Sequence, residues 1–314
     1  MSNQNSPAVS VVIPTRNEEA NIVQMAAAIV EQMEKTRETF ELIFIDNASD
    51  DRTVELGRDL CANDPRIRLI INARNFGQMR SPTHGIFVAR GKAVVNLCAD
   101  FQDPPELIPA FVEKWRAGTD IILGVRQSEK SSFILGKIRK ISYWFAGRFG
   151  DYPVVQNATG FGLYDRKVVE AIRRLNEPEP FFRGMLAETG YSMETISYPR
   201  PQRAGGKSNN NFFALLDFAL SALAGASKRF VRVPFFVGAI ALIASAAALP
   251  LALLSWLVGG SVSPWLWLAL FEFHFGLLFV FVGVVGDQIR LISERTRQTP
   301  LVTERERVNF PEDH

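Results

Sequence analysis

Asn96-Leu97-Cys98-Ala99-Asp100-Phe101-Gln102-Asp103-Pro104-Pro105-Glu106 is the stretch on which the fold turns. An apolar strand, Ala93 to Cys98, runs out and delivers Asp100, Gln102 and Asp103 in quick succession. Two prolines then end the strand ladder and suit the first turn of a helix, which starts near Glu106. Hard oxygen ligands at a strand's carboxyl end are what a divalent ion bridging phosphates needs. Open α/β sheets bind their ligands at that same edge. A lone Asp-x-x-Asp is ordinarily a solvated acidic turn, so the weight rests on what the other strands end in.

Upstream, Val9 to Pro14 is a β-branched, nearly all-apolar run, the mark of a strand buried on both faces in a parallel sheet. Thr15-Arg16-Asn17-Glu18-Glu19 follows, with Asn17 read as a helix N-cap and the glutamates in the first turn. Ile22, Met25, Ile29 and Met33 recur at helical spacing. A strand from Phe40 to Asp46 ends in Asp46-Asn47-Ala48-Ser49-Asp50-Asp51, and one from Ile67 to Ile71 ends at Asn72-Ala73-Arg74-Asn75-Phe76-Gly77. A helix is expected over Gln78 to Arg90, with Pro82 in its first turn or breaking it. Downstream lie a helix from Pro105 to Arg116 and a strand from Asp120 to Leu123 that ends in Gly124-Val125-Arg126. Strands alternating with helices at short spacing predict an α/β fold with a doubly wound parallel sheet. Polar residues after every strand fit one shared ligand crevice better than unrelated surface loops.

The remainder has a different character. Ser131 to Phe149 sets Ile134, Ile138, Ile141, Trp144 and Phe145 beside Lys137, Arg139, Lys140 and Arg148. That face suits either a helix on an anionic membrane surface or one packed on the core. Asn157 to Arg166 reads as a glycine-rich loop entering a helix at Lys167, with Asp165 as N-cap. Arg200 to Asn211 reads as a basic loop carrying Arg200, Arg203 and Lys207. Val233 to Val258 has no charged residue, and Pro264 to Gly286 is interrupted only by Glu272 and His274. At about 1.5 Å per residue each run crosses roughly 30 Å of hydrocarbon.

The expected organisation is therefore a catalytic domain over 1–210, an amphipathic juxtamembrane helix over 211–232, a transmembrane hairpin over 233–286 (spans 233–258 and 264–286) and a tail over 287–314. Lys228, Arg229 and Arg232 precede the hairpin, and Arg290, Arg295 and Arg297 follow it. The positive-inside rule puts the domain, the tail and both termini in the cytosol, in a multi-pass protein of the inner (cytoplasmic) membrane. Met1 to Ala8 has no apolar segment and is no signal peptide. A net charge of +2 over 314 residues gives no case for nucleic-acid binding. Cys61 and Cys98 are too few for a disulfide scaffold, and Cys98 reads as a buried thiol in a reducing compartment. Ala-rich, Gly-containing spans allow the close lateral approach of a homo-oligomer.

Together these motifs resemble the inverting family-2 glycosyltransferases of GT-A fold, in the branch that includes dolichyl-phosphate mannose synthase and bacterial undecaprenyl-phosphate sugar transferases. Val11 to Glu19 is similar to that family's opening motif, Ile45 to Asp51 to its Val-Asp-Asp-Gly-Ser-x-Asp, and Asn75-Phe76-Gly77-Gln78 to its Asn-x-Gly-x. Ala99 to Glu106 matches its Ala-Asp-Leu-Gln-Asp-Pro-Pro-Glu, and Gly124-Val125-Arg126 its Gly-x-Arg.

The resemblance implies that Asp46 bonds the nucleotide base in a pocket lined by Pro14, Thr15 and Asn17, with Glu19, Asn75, Gly77 and Ala99 also along the donor. Asp100 and Gln102 would hold Mg2+ or Mn2+ on the donor diphosphate. Asp100, Asp103 and Arg126 would form the catalytic set, with Arg203 and Lys207 reaching the phosphates. A hexose would pass from a nucleotide sugar, a UDP-sugar for preference, to a polyprenyl phosphate such as undecaprenyl phosphate. The chain departs from the family in two places. Cys98 replaces the first acid of Asp-x-Asp, and Asn157 and Gly160 stand where many relatives carry an Asp. A phosphate acceptor is already ionised near neutral pH and needs no strong base. A glycolipid synthase acting on a lipid hydroxyl, or an inactive nucleotide-binding scaffold, are the alternatives.

Overall fold

The computed structural model of the protein describes residues 6–127, residue 155, residues 158–178, 180–199 and 300–310, and individual positions between 267 and 296. The elements run β1 (Val9–Thr15), α1 (Ile22–Thr36), β2 (Phe40–Asp46), α2 (Thr53–Asn63), β3 (Ile67–Asn72), α3 (Gly77–Val88) and β4 (Ala93–Asn96). A single 3-10 turn (Pro105–Leu107) leads into α4 (Ile108–Arg116) and β5 (Ile121–Arg126). Then come β6 (Ala158–Asp165), α5 (Arg166–Arg174), α6 (Phe182–Thr189), β7 (Met193–Tyr198) and β8 (Glu304–Val308).

The strands form one sheet in the order β7-β5-β6-β4-β1-β2-β3-β8. Successive side chains on a strand face opposite ways, and both faces here are apolar. Val9, Val11 and Ile13 pack with Ile22, Met25 and Ile29 of α1 and Phe111 of α4. Val12, Ile43 and Ile45 face the other way, toward Ile86 of α3 and Val168 of α5. Helices thus cover both faces, as the unbroken apolar strands predict. β1 pairs in parallel with β2 on one side and with β4 on the other. The connection order reverses beside β1, which puts the ligand-binding crevice of such a sheet past Thr15, Asp46 and Asn96.

The sheet is not wholly parallel, and several local expectations change with it. Asn157 to Arg166 is not a glycine-rich loop: residues from Ala158 on form β6, antiparallel to both β4 and β5. A Cβ on Gly162 would collide with the carbonyl oxygen of Ile122, so glycine serves a close strand approach there. β5 continues through Arg126, paired in parallel with β7. β4 ends at Asn96, and Cys98 is exposed rather than buried. α1 begins at Ile22 behind Asn21, so Asn17 is not its cap; it sits in the preceding loop with φ +56°. Pro82 lies inside α3 and does not break it.

The charged stretch Glu304–Val308 forms β8, antiparallel to β3 at the sheet edge. Arg58 forks onto Glu306 at 2.6 and 2.5 Å. Arg80 donates to the carbonyls of Leu301 (2.8 Å) and Pro300 (3.0 Å). His84 pairs with Glu304, which makes it an interface histidine. The helix expected over 131–149, the loop with Arg203 and Lys207, Asn157, the juxtamembrane helix over 211–232, the span over 233–258 and Glu272 lie outside the described residues. The described positions between 267 and 296 are helical, and Phe273, Val282 and Ile289 among them are exposed. Among the described residues no helix is long and apolar enough to cross a membrane.

Glu304 yields a pH prediction. Burial raises its pKa, but hydrogen bonds from His84 and Arg307 and their charges prevail and pull it down to about 2 from 4.5. A depressed carboxylate stabilises the fold above its unfolded pKa, and that share is lost as pH falls from about 4.5 toward 2. The shift corresponds to roughly 3 kcal/mol at neutral pH. Denaturant unfolding followed by tryptophan fluorescence should therefore show Glu304→Gln destabilised by up to that amount at pH 7, with a shallower decline below pH 4.5. Parallel pH profiles for the two proteins would remove Glu304 from the account.

Candidate active site

The loops that follow β1 and β2 are laced together by side chain to backbone hydrogen bonds. The backbone N–H of Asn17 donates to Ser49 Oγ (2.9 Å), and that of Asp50 donates to Asn17 Oδ1 (2.9 Å). The N–H of Glu18 donates to Thr53 Oγ1 (2.8 Å), and that of Glu19 to Asp51 Oδ2 (3.2 Å). Thr15 and Asp46 are register partners at the carboxyl ends of β1 and β2, and both are buried. Asp46 accepts from Ser49 through its N–H (3.0 Å) and its hydroxyl (2.5 Å). Burial raises the Asp46 pKa above the ordinary carboxylate range; the Ser49 bonds oppose this and the charge of Asp51 adds to it.

Asn47 ties this edge to the loop after β3. Its Nδ2 donates to Asn75 Oδ1 (2.8 Å) and to the Gly77 carbonyl (3.2 Å), while its Oδ1 accepts from the N–H of Phe76 (2.8 Å). Gly77 has φ +86°, a backbone conformation that favours glycine. Asn75 and Gly77 stand exposed on the rim, Pro14 is half-buried, and Glu19 is exposed. The side chain of Ala99 packs in the apolar core.

Past β4 the chain turns sharply, with Phe101 at φ +59°. Asp103, 1% exposed, is the anchor of this turn. Its Oδ2 accepts from the N–H of Cys98 (3.2 Å). Its Oδ1 accepts from Arg126 Nη2 (2.9 Å) and from the Tyr198 hydroxyl (2.8 Å). Arg126 Nε in turn donates to the Tyr198 hydroxyl (3.3 Å). Burial disfavours the Arg126 charge, yet Tyr198 and Asp103 hold it firmly protonated. Burial, followed by the charge of Asp103, raises the Tyr198 phenol.

Cys98 is solvent-exposed, while desolvation, then the charges of Asp103 and Asp100, push its thiol well up. Asp100 is buried beside it, and its Oδ1 accepts from the N–H of Gln102 (3.2 Å).

Asp46, Asp100 and Arg126 thus come to one sheet edge from β2, β4 and β5. Asp103 is buried behind them and orients Arg126, which makes it a positioning residue. Asn47 and Tyr198 are further members that sequence reasoning did not single out. Asn47 lies within a motif whose acid, Asp46, draws the attention, and Tyr198 ends a strand with no motif around it. Asp165 lies at the opposite edge, paired with Ala93 at the start of β4. It caps α5 through the Lys167 N–H (2.9 Å) and accepts from Trp115 Nε1 (2.8 Å). Among the described residues no group of three or more His, Cys, Asp or Glu side chains is gathered to hold a metal. Asp100 and Gln102 supply two hard oxygen donors, a set that fits Mg2+, which keeps several waters and takes one or two carboxylates plus phosphates.

The family model described as "Glycosyl transferase family 2" matches residues 10–173. An uncharacterized glycosyltransferase of a Synechocystis species is 32% identical over 93% of this chain and 93% of its own length. The bactoprenol glucosyl transferase of Shigella phage SfV is 32% identical over 73% of this chain and 75% of its own. A crystal structure of a mycobacterial protein, 16% identical, aligns with 69% of this chain and 74% of its own at a TM-score of 0.50, a likeness of fold.

The network around Asp103 predicts unequal losses. Tyr198→Phe removes two hydrogen bonds, one donated to Asp103 and a longer one accepted from Arg126, and should cost about 2 kcal/mol of unfolding free energy. Asp103→Asn leaves the Arg126 charge without its carboxylate and should cost roughly 3–5 kcal/mol. Denaturant titration of both variants checks the order; equal costs would mean that the ion pair does not hold this turn.

Proposed function

The chain belongs to glycosyl transferase family 2, and from that premise we propose that it transfers a hexose from a nucleotide sugar, a UDP-sugar, to undecaprenyl phosphate. What carries the reading is the convergence of Asp46, Asp100 and Arg126 at one sheet edge, in a chain whose relatives include a bactoprenol glucosyl transferase.

The donor lies along this edge, its base toward Asp46, Pro14, Thr15 and Asn17, with Glu19, Asn75, Gly77 and the backbone of Ala99 along the rest. The reaction is a single in-line displacement with inversion. An oxygen of the lipid phosphate attacks the anomeric carbon as the bond from that carbon to the nucleoside diphosphate breaks, and the electron pair leaves with the diphosphate. Negative charge grows on the leaving group, where a fixed cation in a partly dry site is worth most. Arg126 supplies that cation, pre-oriented by Asp103 and Tyr198. Mg2+ or Mn2+, held by Asp100 and Gln102, would add further neutralisation of the diphosphate. Arg203 and Lys207 are assigned to the phosphates on sequence alone.

A phosphate acceptor also suits the residues at this edge. Asp165 is committed to a helix cap at the far edge of the sheet, so it does not serve as a base at the site. A lipid phosphate brings its own nucleophilic charge and needs none.

The same reading divides the chain into the catalytic domain over 1–210, the juxtamembrane helix over 211–232, the hairpin over 233–258 and 264–286, and the tail over 287–314. It places the protein in the cytoplasmic membrane, with hairpins packed side by side in a homo-oligomer. The pairing of β8 with β3 supports it: residues before and after the apolar runs share one sheet, so any crossings between them must be even in number.

The test is mass spectrometry of lipid products from detergent-purified protein given Mg2+ or Mn2+, undecaprenyl phosphate and a panel of UDP- and GDP-sugars. A polyprenyl-phosphate hexose is expected, reduced at least 100-fold in Asp100→Ala. Product with diacylglycerol or ceramide alone would assign a hydroxyl acceptor. No lipid product alongside normal nucleotide binding would make the chain a scaffold.

A further inference from the structure

At the strands' amino edge, opposite the candidate active site, a cavity of about 430 Å3 is lined by Phe87, Arg90, Arg166, Glu170, Arg173, Arg307 and Phe310, among others. Its place follows from the topology. Arg90 precedes β4, Arg166 follows β6, which runs antiparallel to β4, and Phe310 follows β8, which runs antiparallel to β3. The volume is within the range of small-molecule sites.

Charge is unevenly matched here. Glu41 is shared by Arg68, which stands behind the Phe310 ring, and by Arg90 at 3.7 Å. Glu170 is shared by Arg166 at 3.6 Å and Arg173 at 3.0 Å. Among the described residues two carboxylates thus serve four guanidiniums, which leaves about two positive charges there, and a phosphate monoester carries about −1.5 to −2 at pH 7. Burial is the main cause that depresses Arg166 and Arg68; Glu170 and Glu41 oppose it, and the charges of Arg173 and Arg90 add smaller shares to it.

The forks are also held in place. Arg166 donates to the carbonyls of Gly91 (2.9 and 2.6 Å) and Ala89 (2.7 Å), and Arg173 donates to the carbonyl of Phe87. Carbonyls orient a guanidinium without neutralising it, so little side-chain entropy remains to be lost when an anion arrives. The Phe87 ring lies 5.4 Å from Arg173 and the Phe310 ring 5.3 Å from Arg307, so both rings are fixed walls beside the charge.

We propose that this cavity is a second binding site, which takes a soluble phosphorylated small molecule with its phosphate among Arg90, Arg166 and Arg173 and its apolar or ring portion against Phe87 and Phe310.

The test is calorimetric titration of the full-length protein in detergent with AMP, inorganic pyrophosphate and an Asp/Glu-rich peptide, in EDTA so that no divalent ion draws the probes to Asp100. One site per chain is expected for a phosphate probe. Arg90→Gln with Arg173→Gln should weaken it tenfold or more, while Asp100→Ala leaves it unchanged. Glu170→Gln removes the shared carboxylate and should tighten binding severalfold, a gain that misfolding does not mimic. Absence of phosphate binding at millimolar concentration, indifference to these substitutions, or binding of the peptide alone would each overturn the assignment.

Discussion

A carboxylate with 1% of its surface exposed stays charged only if partners replace its water, and at Asp103 those partners come from three directions. The Cys98 N–H lies at the end of β4, Arg126 at the end of β5 and Tyr198 at the end of β7. One buried anion therefore fixes the exit path of the chain from β4 against two other strands. Asp100, three residues earlier in the same turn, inherits its position from that anchoring. The Asp103 carboxylate is thus structural. An Asn at this position would keep the shape and lose the reason for the shape.

The other half of the edge is built without ion pairs. Asn17, Ser49, Asp51 and Thr53 exchange side-chain and backbone hydrogen bonds across the loops after β1 and β2, and Asn47 carries the lacing on to Asn75 and Gly77. Each such bond is worth about 1 kcal/mol net, but an unmade one on a buried group costs more. The lattice is therefore cooperative in a practical sense, because no single member is expendable without stranding another. Short polar residues are needed for it, since they turn back onto their own backbone more readily than long ones. That requirement, as much as contact with a ligand, accounts for the density of Asn, Asp, Ser and Thr after β1 and β2.

Legibility in the sequence followed burial. β1 to β4, α1 and α4 were readable because their apolar residues recur at the period of the element, and both faces of the central strands are covered. β6 was missed because Gly160 and Gly162 signal a loop, whereas Gly162 is there to let β5 approach. β7 and β8 are edge strands of mixed or charged sequence that depend on pairing and ion pairs, so no hydrophobic pattern announces them. Within the site, the residue types of Asp46, Asp100, Asp103 and Arg126 were legible, but their division of labour was not. That division depends on which carboxylate is enclosed, and enclosure of Asp103 comes from Tyr198, which lies 95 residues away.

The position of β8 bears on how a lipid would reach the site. Glu304 is opposite Asn72 at the carboxyl end of β3, and the N–H of Ala73 donates to the Thr303 carbonyl at 2.9 Å. Arg80 binds the carbonyls just before that point. The chain returning from the apolar runs therefore joins the sheet at the edge where Asp46 and Asp100 stand, not at the edge with the arginine cavity. On the proposed reading, the membrane side and the catalytic side of the domain are then the same side. A lipid phosphate would need to rise only as far as its headgroup to meet the donor. A soluble nucleotide sugar would enter from the cytosol along the laced loops. The salt bridges that hold β8 to α2 and α3 would act on catalysis through that geometry, by keeping the edge turned toward the bilayer, without touching either substrate.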